Sequence, residues 1–309
     1  MMLSLTPRGE FLVTDRFHQR VHLYSRDGAL RRVLGRQGPG PGEFQMIGAA
    51  VLMGDSILAV LDDSRRSITL LRFPDGAYLR EVPLEGGGTS IAKAYGDTLT
   101  VGLLVAARES GLAEIVLGDT IVRYYGMVPR ARLTVPALSG IHTLVAHARG
   151  DRGLVVGYSG VDSTYELTAT GQVVSATHLP ARRRQHLRQD PAEVFGRQAP
   201  FPELYAATAF LFDITRLSDG GLAILHFDQS IDDRIISSTP FLTLLPDSVG
   251  PTCVDEPLGV VSEARLVPAF RGDTLFFVTQ RIENQVVRAS IVGFAIDRSR
   301  CPDPQGRYE

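Results

Sequence analysis

The sequence predicts an all-β fold, a six-bladed β-propeller of four-stranded antiparallel blades, from three observations. A tight turn, nearly always Gly/Asp, recurs six times along the 309 residues. Each recurrence is flanked by apolar or alternating runs of strand length, rich in β-branched residues. The period is about 50 residues, which suits one four-stranded blade. A pair of β-sandwiches would not repeat the same turn six times.

The turns are Pro7-Arg8-Gly9, Gly54-Asp55-Ser56, Gly96-Asp97-Thr98, Gly150-Asp151-Arg152, Asp219-Gly220-Gly221 and Gly272-Asp273-Thr274. Gly and Asp belong there because the hairpin turns that match strand twist need positive φ. The second strand of each unit follows at once: EFLVTD, SILAVLDD, TLTVGLLVA, GLVVGYS, LAILHFD and TLFFVTQ. Third strands read RVHLYS, SITLLRF, LAEIVL, TYELTA, PFLTLLP and ASIVGFAI. Fourth strands are clear in the first four units (ALRRVLG, AYLREVPL, TIVRYYG, QVVSATHL) and poor in the last two. The blades are expected at about 1–44, 45–88, 89–135, 136–208, 209–261 and 262–309, forming one domain.

One segment breaks the rhythm. The fourth and fifth turns lie about 68 residues apart, against about 42–54 elsewhere, and the excess is residues 180–208. This excursion is expected as a short helix from Arg182 to Gln189, then an extended run bounded by Pro191, Pro200 and Pro202. It joins one blade's outer strand to the next blade's inner strand. Its expected place is therefore the blade end that carries the loops between second and third strands.

Composition bounds the function. Net charge is −2, with 44% apolar and 21% charged residues, which excludes a disordered chain and argues against a general polyanion or nucleic-acid binder. No apolar run reaches the length of a membrane-spanning helix. Lys93 is the one lysine among 32 basic residues, so arginine here reflects coding bias and is a weak sign of phosphate recognition. Tryptophan is absent, which lowers a carbohydrate reading.

Cys253 and Cys301 sit in no zinc spacing, and a disulfide between them is expected. Closing that loop would add roughly 4 kcal/mol in the chain-entropy account and would imply export. The opening MMLSLTPRGEFLVTD has neither the charged start nor the apolar core of a signal peptide. Residues 1–5 already read as a strand. Export is therefore expected if a leader precedes Met1, and a cytoplasmic location if Met1 is the true start.

The stretch FLVTDRFHQRVHLYSRDGALRRVLGRQGPGPGEF resembles an NHL-type repeat: a strand ending in Asp, an Arg-bearing strand, a DG hairpin, then a Gly-rich connection closed by Phe. Gly35, Gly38, Gly40, Gly42, Glu43 and Phe44 stand in that pattern. The likeness is specific over residues 9–44, fair over 45–85 and architectural beyond. It implies a six-bladed propeller of the kind found in many bacterial exported proteins of unassigned function. The glycines match no phosphate-binding motif and are expected as a structural linker.

Candidate site residues come from the loops at the excursion's end of the blades. Asp15, Arg16, His18, Asp62, Asp63, Asp228 and Arg281 lie there, with the basic cluster Arg182, Arg183 and Arg184 from the excursion. The simplest role for Asp15, Asp62 and Asp228 is to cap turns by accepting backbone N–H bonds. Carboxylates converging from several blades could instead hold Ca²⁺, as in six-bladed lactonases. Their ligand sets include Asn, whereas this chain has Asn284 alone. His18 and His22 do not have the helical spacing of a zinc pair, and no nucleophile elbow occurs. The expectation is a monomeric, non-catalytic binding propeller, without cofactor or metal, recognising a ligand or protein on the face that carries residues 180–208. A calcium-dependent propeller hydrolase or lyase is the alternative, and a nucleic-acid-binding propeller ranks third.

Overall fold

Short alternating runs joined by glycine turns favour antiparallel hairpins, and the computed structural model is built from six such sheets, the blades of a β-propeller. It describes residues 2–93, 98–107, 110–116, 122–128, 143–147, 153–185, 209–232, 235–247, 250–259, 267–283 and 286–301. The chain divides into two compact units.

Unit 1 contains three complete blades. The first is β1 (Met2–Leu5), β2 (Phe11–Asp15), β3 (Arg20–Tyr24) and β4 (Leu30–Leu34), and the second is β5 (Ile47–Met53), β6 (Ile57–Asp62), β7 (Ser67–Arg72) and β8 (Tyr78–Pro83). The third is β9 (Gly88–Lys93), β10 (Thr98–Ala107), β11 (Ser110–Val116) and β12 (Val122–Tyr125). Each is a simple antiparallel meander in chain order. Strand β5 is buried along its whole length because both of its faces meet apolar layers. The layer between the first two blades includes Leu12, Val21, Leu34, Phe44, Ile47, Leu58, Val60 and Leu71. A second layer, between blades 2 and 3, includes Val51, Leu61, Ile68, Leu70, Leu99, Val101 and Ile115. Each fully enclosed aliphatic side chain contributes about 1.5–3 kcal/mol. The outer strands β4 and β8 are mostly exposed, as blade edges are.

Unit 2 contains β13 (Thr143–His147), β14 (Leu154–Tyr158), β15 (Ser163–Leu167) and β16 (Val173–His178) as one blade. Its next blade is β17 (Phe210–Arg216), β18 (Leu222–Asp232), β19 (Ile235–Leu245) and β20 (Cys253–Pro257). The sixth sheet, β21 (Val267–Arg271), β22 (Thr274–Glu283) and β23 (Val286–Ala295), has three strands among the described residues, and its residues are divided between the two units. Helix among the described residues amounts to a single 3-10 turn at Arg298–Arg300, and none is long and apolar enough to cross a membrane.

The Gly-rich connection out of blade 1 is explained by packing. Phe44 is fully buried and its ring lies where a Cβ on Gly35 would be, 2.1 Å away, and Gly35 has φ +75°. The Glu43 carboxylate fills the corresponding space at Gly38 and accepts the Gly40 N–H at 2.8 Å. These glycines let the connector close over one aromatic and one carboxylate.

The expected helix from Arg182 does not form over 182–185. That segment is a bend whose amide groups are drawn to carboxylates of the next blade, as described below. Residues 186–208, including the rest of that helix and the proline-bounded run, lie outside the described residues.

Candidate functional site

In unit 1 the second strands of blades 1 and 2 end in Asp15 and Asp62, and each carboxylate organises the turn it opens. Asp15 Oδ1 accepts the N–H groups of Phe17 (2.9 Å) and His18 (3.1 Å), while Oδ2 lies 2.7 Å from His18 Nδ1. Burial pushes the Asp15 carboxyl up, but the His18 ring and these two amides together hold it below its ordinary value. Asp62 is fully buried, and four amides compensate it: Gln45 (2.8 Å), Met46 (3.2 Å), Ser64 (3.1 Å) and Arg65 (3.1 Å). Two come from its own turn and two from the link into blade 2, so one carboxylate stitches both segments together.

Asp63 behaves differently. Its Oδ2 is 2.6 Å from Arg16 Nη2, while the buried Oδ1 has no hydrogen-bond partner and rests against Gly48, where a Cβ would be 2.3 Å away. Burial pushes this carboxyl up to about 6, with Arg16 opposing the shift and Asp62 adding to it. Buried Gln19, in the left-handed region at φ +54°, accepts the Ile47 N–H at 2.7 Å and donates to the Arg16 carbonyl. The turn of blade 1 and the link into blade 2 are thereby one hydrogen-bonded rim. Phe17, at the tip of the turn, is 89% exposed.

In unit 2 the organising residue is Asp255 on β20, buried and in the left-handed region at φ +53°. Its Oδ2 accepts three successive amides, from Arg182 (2.5 Å), Arg183 (3.0 Å) and Arg184 (3.3 Å). Burial pushes its carboxyl up, but the Arg182 and Arg183 amides and the Arg184 charge and amide hold it below the ordinary value. The Arg184 side chain is buried as well. Its guanidinium meets Asp162 at 2.5 Å, the Leu179 carbonyl at 2.9 Å and Asp255 Oδ1 at 3.2 Å. Asp228, on β18, accepts the Gln185 N–H at 2.9 Å, and burial raises its pKa despite that bond.

The Gln185 carbonyl then accepts the Ala209 N–H at 3.0 Å. The excursion therefore leaves and re-enters the blade at one point, with its stem held by Asp162, Asp228 and Asp255. His226, on β18 within this network, is 2% exposed, and its Nε2 has no hydrogen-bond partner. Burial pushes its imidazole down to about 3, with Arg184 acting in the same direction and Asp255 against.

The candidate residues thus fall into two groups. Asp15, Arg16, His18, Asp62 and Asp63 share the rim of unit 1, and Arg184 and Asp228 share the stem network of unit 2. Arg182 and Arg183 enter that network through their amides, with the Arg183 side chain 3.9 Å from Glu256. Arg281 is on β22, and its side chain lies outside the described residues. Cys253 and Cys301 are joined by a disulfide that ties β20 to the turn after β23. Beside it, Arg298 Nη1 reaches Asp219 at 3.0 Å. Sequence reading missed Gln19 and Asp255, because a strand residue two places from a cysteine and a turn glutamine carry no local signal of what they will bind. Among the described residues no group of three or more His, Cys, Asp or Glu side chains is arranged to hold a metal ion.

No family model matches the sequence, and no curated protein does. Solved structures share its fold. The Bacteroides fragilis protein BF0058, assigned as exported, aligns with a TM-score of 0.65 at 11% identity over 90% of this chain and 78% of its own. A catalytically inactive variant of virginiamycin B lyase from Staphylococcus aureus gives 0.53 at 12%, over 90% and 76%. The Cps50 (Swd1) β-propeller domain of Myceliophteria thermophila gives 0.53 at 10%, over 96% of each chain. At these identities the likeness is one of fold alone.

Proposed function

We propose that this propeller is a binding module of NHL type, exported and monomeric, that recognises a ligand or protein partner through the blade ends carrying the second-to-third-strand turns and the excursion. The observation that supports this reading is how the rim carboxylates are used. Asp15, Asp62, Asp228 and Asp255 all accept backbone N–H groups, so each positions loops on a rigid scaffold. Recognition would then rest on shape and hydrogen bonding by pre-ordered loops, with no covalent step and no cofactor. The disulfide between Cys253 and Cys301 supports export, since such bonds persist in oxidising compartments.

The alternative reading is a metal-dependent propeller hydrolase or lyase. Asp213, at a bulge on β17, accepts the Ile214 N–H at 2.9 Å, and burial pushes its carboxyl up to about 7, which bears on proton transfer and not on holding a cation.

Elemental analysis of the natively purified protein, with a thermal melt before and after chelation, separates the two. Stoichiometric calcium whose removal lowers the Tm overturns the binding-module reading and brings lactone and ester substrates forward. A metal-free protein with an unchanged melt supports it.

A further inference from the structure

We propose that β16, the outer strand of the fourth blade, captures an extended, uncharged segment of a partner protein by strand addition. This edge is a surface separate from the blade ends of the binding-module reading, and neither depends on the other.

Composition marks this edge. An outer strand presents unpaired backbone groups, and charged side chains or proline ordinarily guard it against pairing with another chain. β4 carries Arg31 and Arg32, and β12 carries Arg123. β8 has Arg80, Glu81 and Pro83, and β20 has Asp255, Glu256 and Pro257. β16 reads Val-Val-Ser-Ala-Thr-His, with no Asp, Glu, Lys, Arg or Pro. Among the described fourth strands it alone lacks such a guard. Val173 and Val174 are 45% and 66% exposed, and no described strand pairs with its outer side.

The ladder shows which groups are offered. Leu179 donates its N–H to the Asp162 carbonyl at 3.0 Å, and the register with β15 is regular from Ser175 to His178. Hydrogen-bonded pairs alternate along an antiparallel ladder. Thr177 and Ser175 therefore also bond to β15, while Ala176 and His178 turn their N–H and C=O groups outward, with no partner among the described residues.

Side chains and charge supply the partner's chemistry. Opposite residues share a face, so Ala176 lies beside Tyr165, while Ser175 and Thr177 share the other face with Glu166 and Thr164. The Glu166 carboxylate is already held, by Arg216 at 2.5 Å and by the Ser175 hydroxyl at 3.0 Å. A segment laid on β16 thus meets an aromatic and an alanine on one side, hydroxyls on the other, and a carboxylate already neutralised. Its complement alternates apolar or aromatic residues with Ser and Thr and carries no charge, since a charge there would lose water without gaining a partner. A second copy of this chain fits less well. Two copies meeting along one six-residue strand share an edge about 20 Å long, far short of the roughly 1,200 Å² that a stable dimer buries.

The test uses the full chain and two variants. Ala176→Pro removes an outward donor without breaking the ladder to β15, and Val174→Lys places a guarding charge at an exposed position, where it should leave the Tm unchanged. Random peptides displayed on phage are selected on the immobilised protein, and the enriched peptides are synthesised. The expected result is an uncharged consensus that alternates apolar residues with Ser or Thr. Its affinity should fall about ten-fold or more in each variant and change less than about two-fold between 0.05 and 0.5 M salt. N-methylation at every second peptide residue should abolish binding in one phase and spare it in the other, because only alternate amides of a strand face its neighbour. Failure to enrich an uncharged, alternating consensus overturns the proposal. Peptides that bind both variants as well as the parent, or that tolerate N-methylation in either phase, also overturn it. Dimerisation in sedimentation that Val174→Lys abolishes, without peptide binding, overturns it in favour of a second copy. None of these results bears on the blade-end reading, which the elemental analysis decides.

Discussion

Arg184 Nε lies 3.2 Å from Asp255 Oδ1, and the two side chains are 2% and 0% exposed. This buried pair joins the first residues of the excursion to the outer strand of the following blade. Removing one partner of such a pair leaves an uncompensated buried charge, whereas removing both does not. Asp255→Asn and Arg184→Met are each expected to cost about 3–5 kcal/mol. The double variant should cost clearly less than their sum. A double-mutant cycle by urea unfolding measures this, and additive losses would show that the two residues are not coupled.

His226 is neutral in the fold because burial, with Arg184 beside it, pushes its pKa down to about 3 from 6.5. A depressed folded pKa means the unfolded chain binds more protons between those values. Its contribution is thus fully present above about pH 6.5 and is lost as pH falls towards 3. In that window His226→Gln should flatten the stability curve by up to about 1.4 kcal/mol per pH unit. Asp213, raised to about 7, has the opposite sign: its contribution is present below pH 3.8 and is lost as pH rises through 7. Asp213→Asn should therefore steepen the acid-side loss. Chemical denaturation at a series of pH values distinguishes the two slopes.

The bond between Cys253 and Cys301 closes a span of 48 residues. Cys253→Ser with Cys301→Ser is expected to lower stability by about 4 kcal/mol if the effect is on chain entropy. Guanidinium unfolding of the double variant beside the oxidised parent reads it directly. Equal midpoints would mean that Arg298 on Asp219 and the Leu245 carbonyl already holds the tail.

Two glycines in the left-handed region separate backbone strain from packing. A Cβ at Gly28 (φ +84°) meets nothing within 4 Å, whereas at Gly35 (φ +75°) it meets the Phe44 ring at 2.1 Å. Gly28→Ala should cost about 1–2 kcal/mol, the conformational term alone. Gly35→Ala should cost about 2–4 kcal/mol, because displacing a fully buried Phe adds an overpacking term. Thermal unfolding of both variants tests the difference, and equal shifts would mean that Phe44 repacks at no cost.

The β-strands were legible in the sequence because alternation, β-branching and Gly/Asp turns are local properties. The turns at Pro7–Gly9 and Gly54–Ser56 and the DG hairpin at Asp27-Gly28 could each be read from a few adjacent residues, whereas the fourth strand of the fifth blade, expected to be poor, forms as β20. A recurring local unit then determines the architecture, since six hairpin-rich sheets of like length have few other ways to bury both faces. The partners of the charged groups depend instead on residues far apart in the chain. That Asp62 would gather amides from Gln45 and Met46, and that Asp255 would gather those of Arg182, Arg183 and Arg184 some 70 residues away, was decided by the tertiary structure. The same holds for the basic cluster, which reads in sequence as the start of a short helix and as candidate site residues. Burial of Arg184 between Asp162 and Asp255 makes it a structural pin, because only the assembled blades create a site where a guanidinium can leave water with its charge balanced.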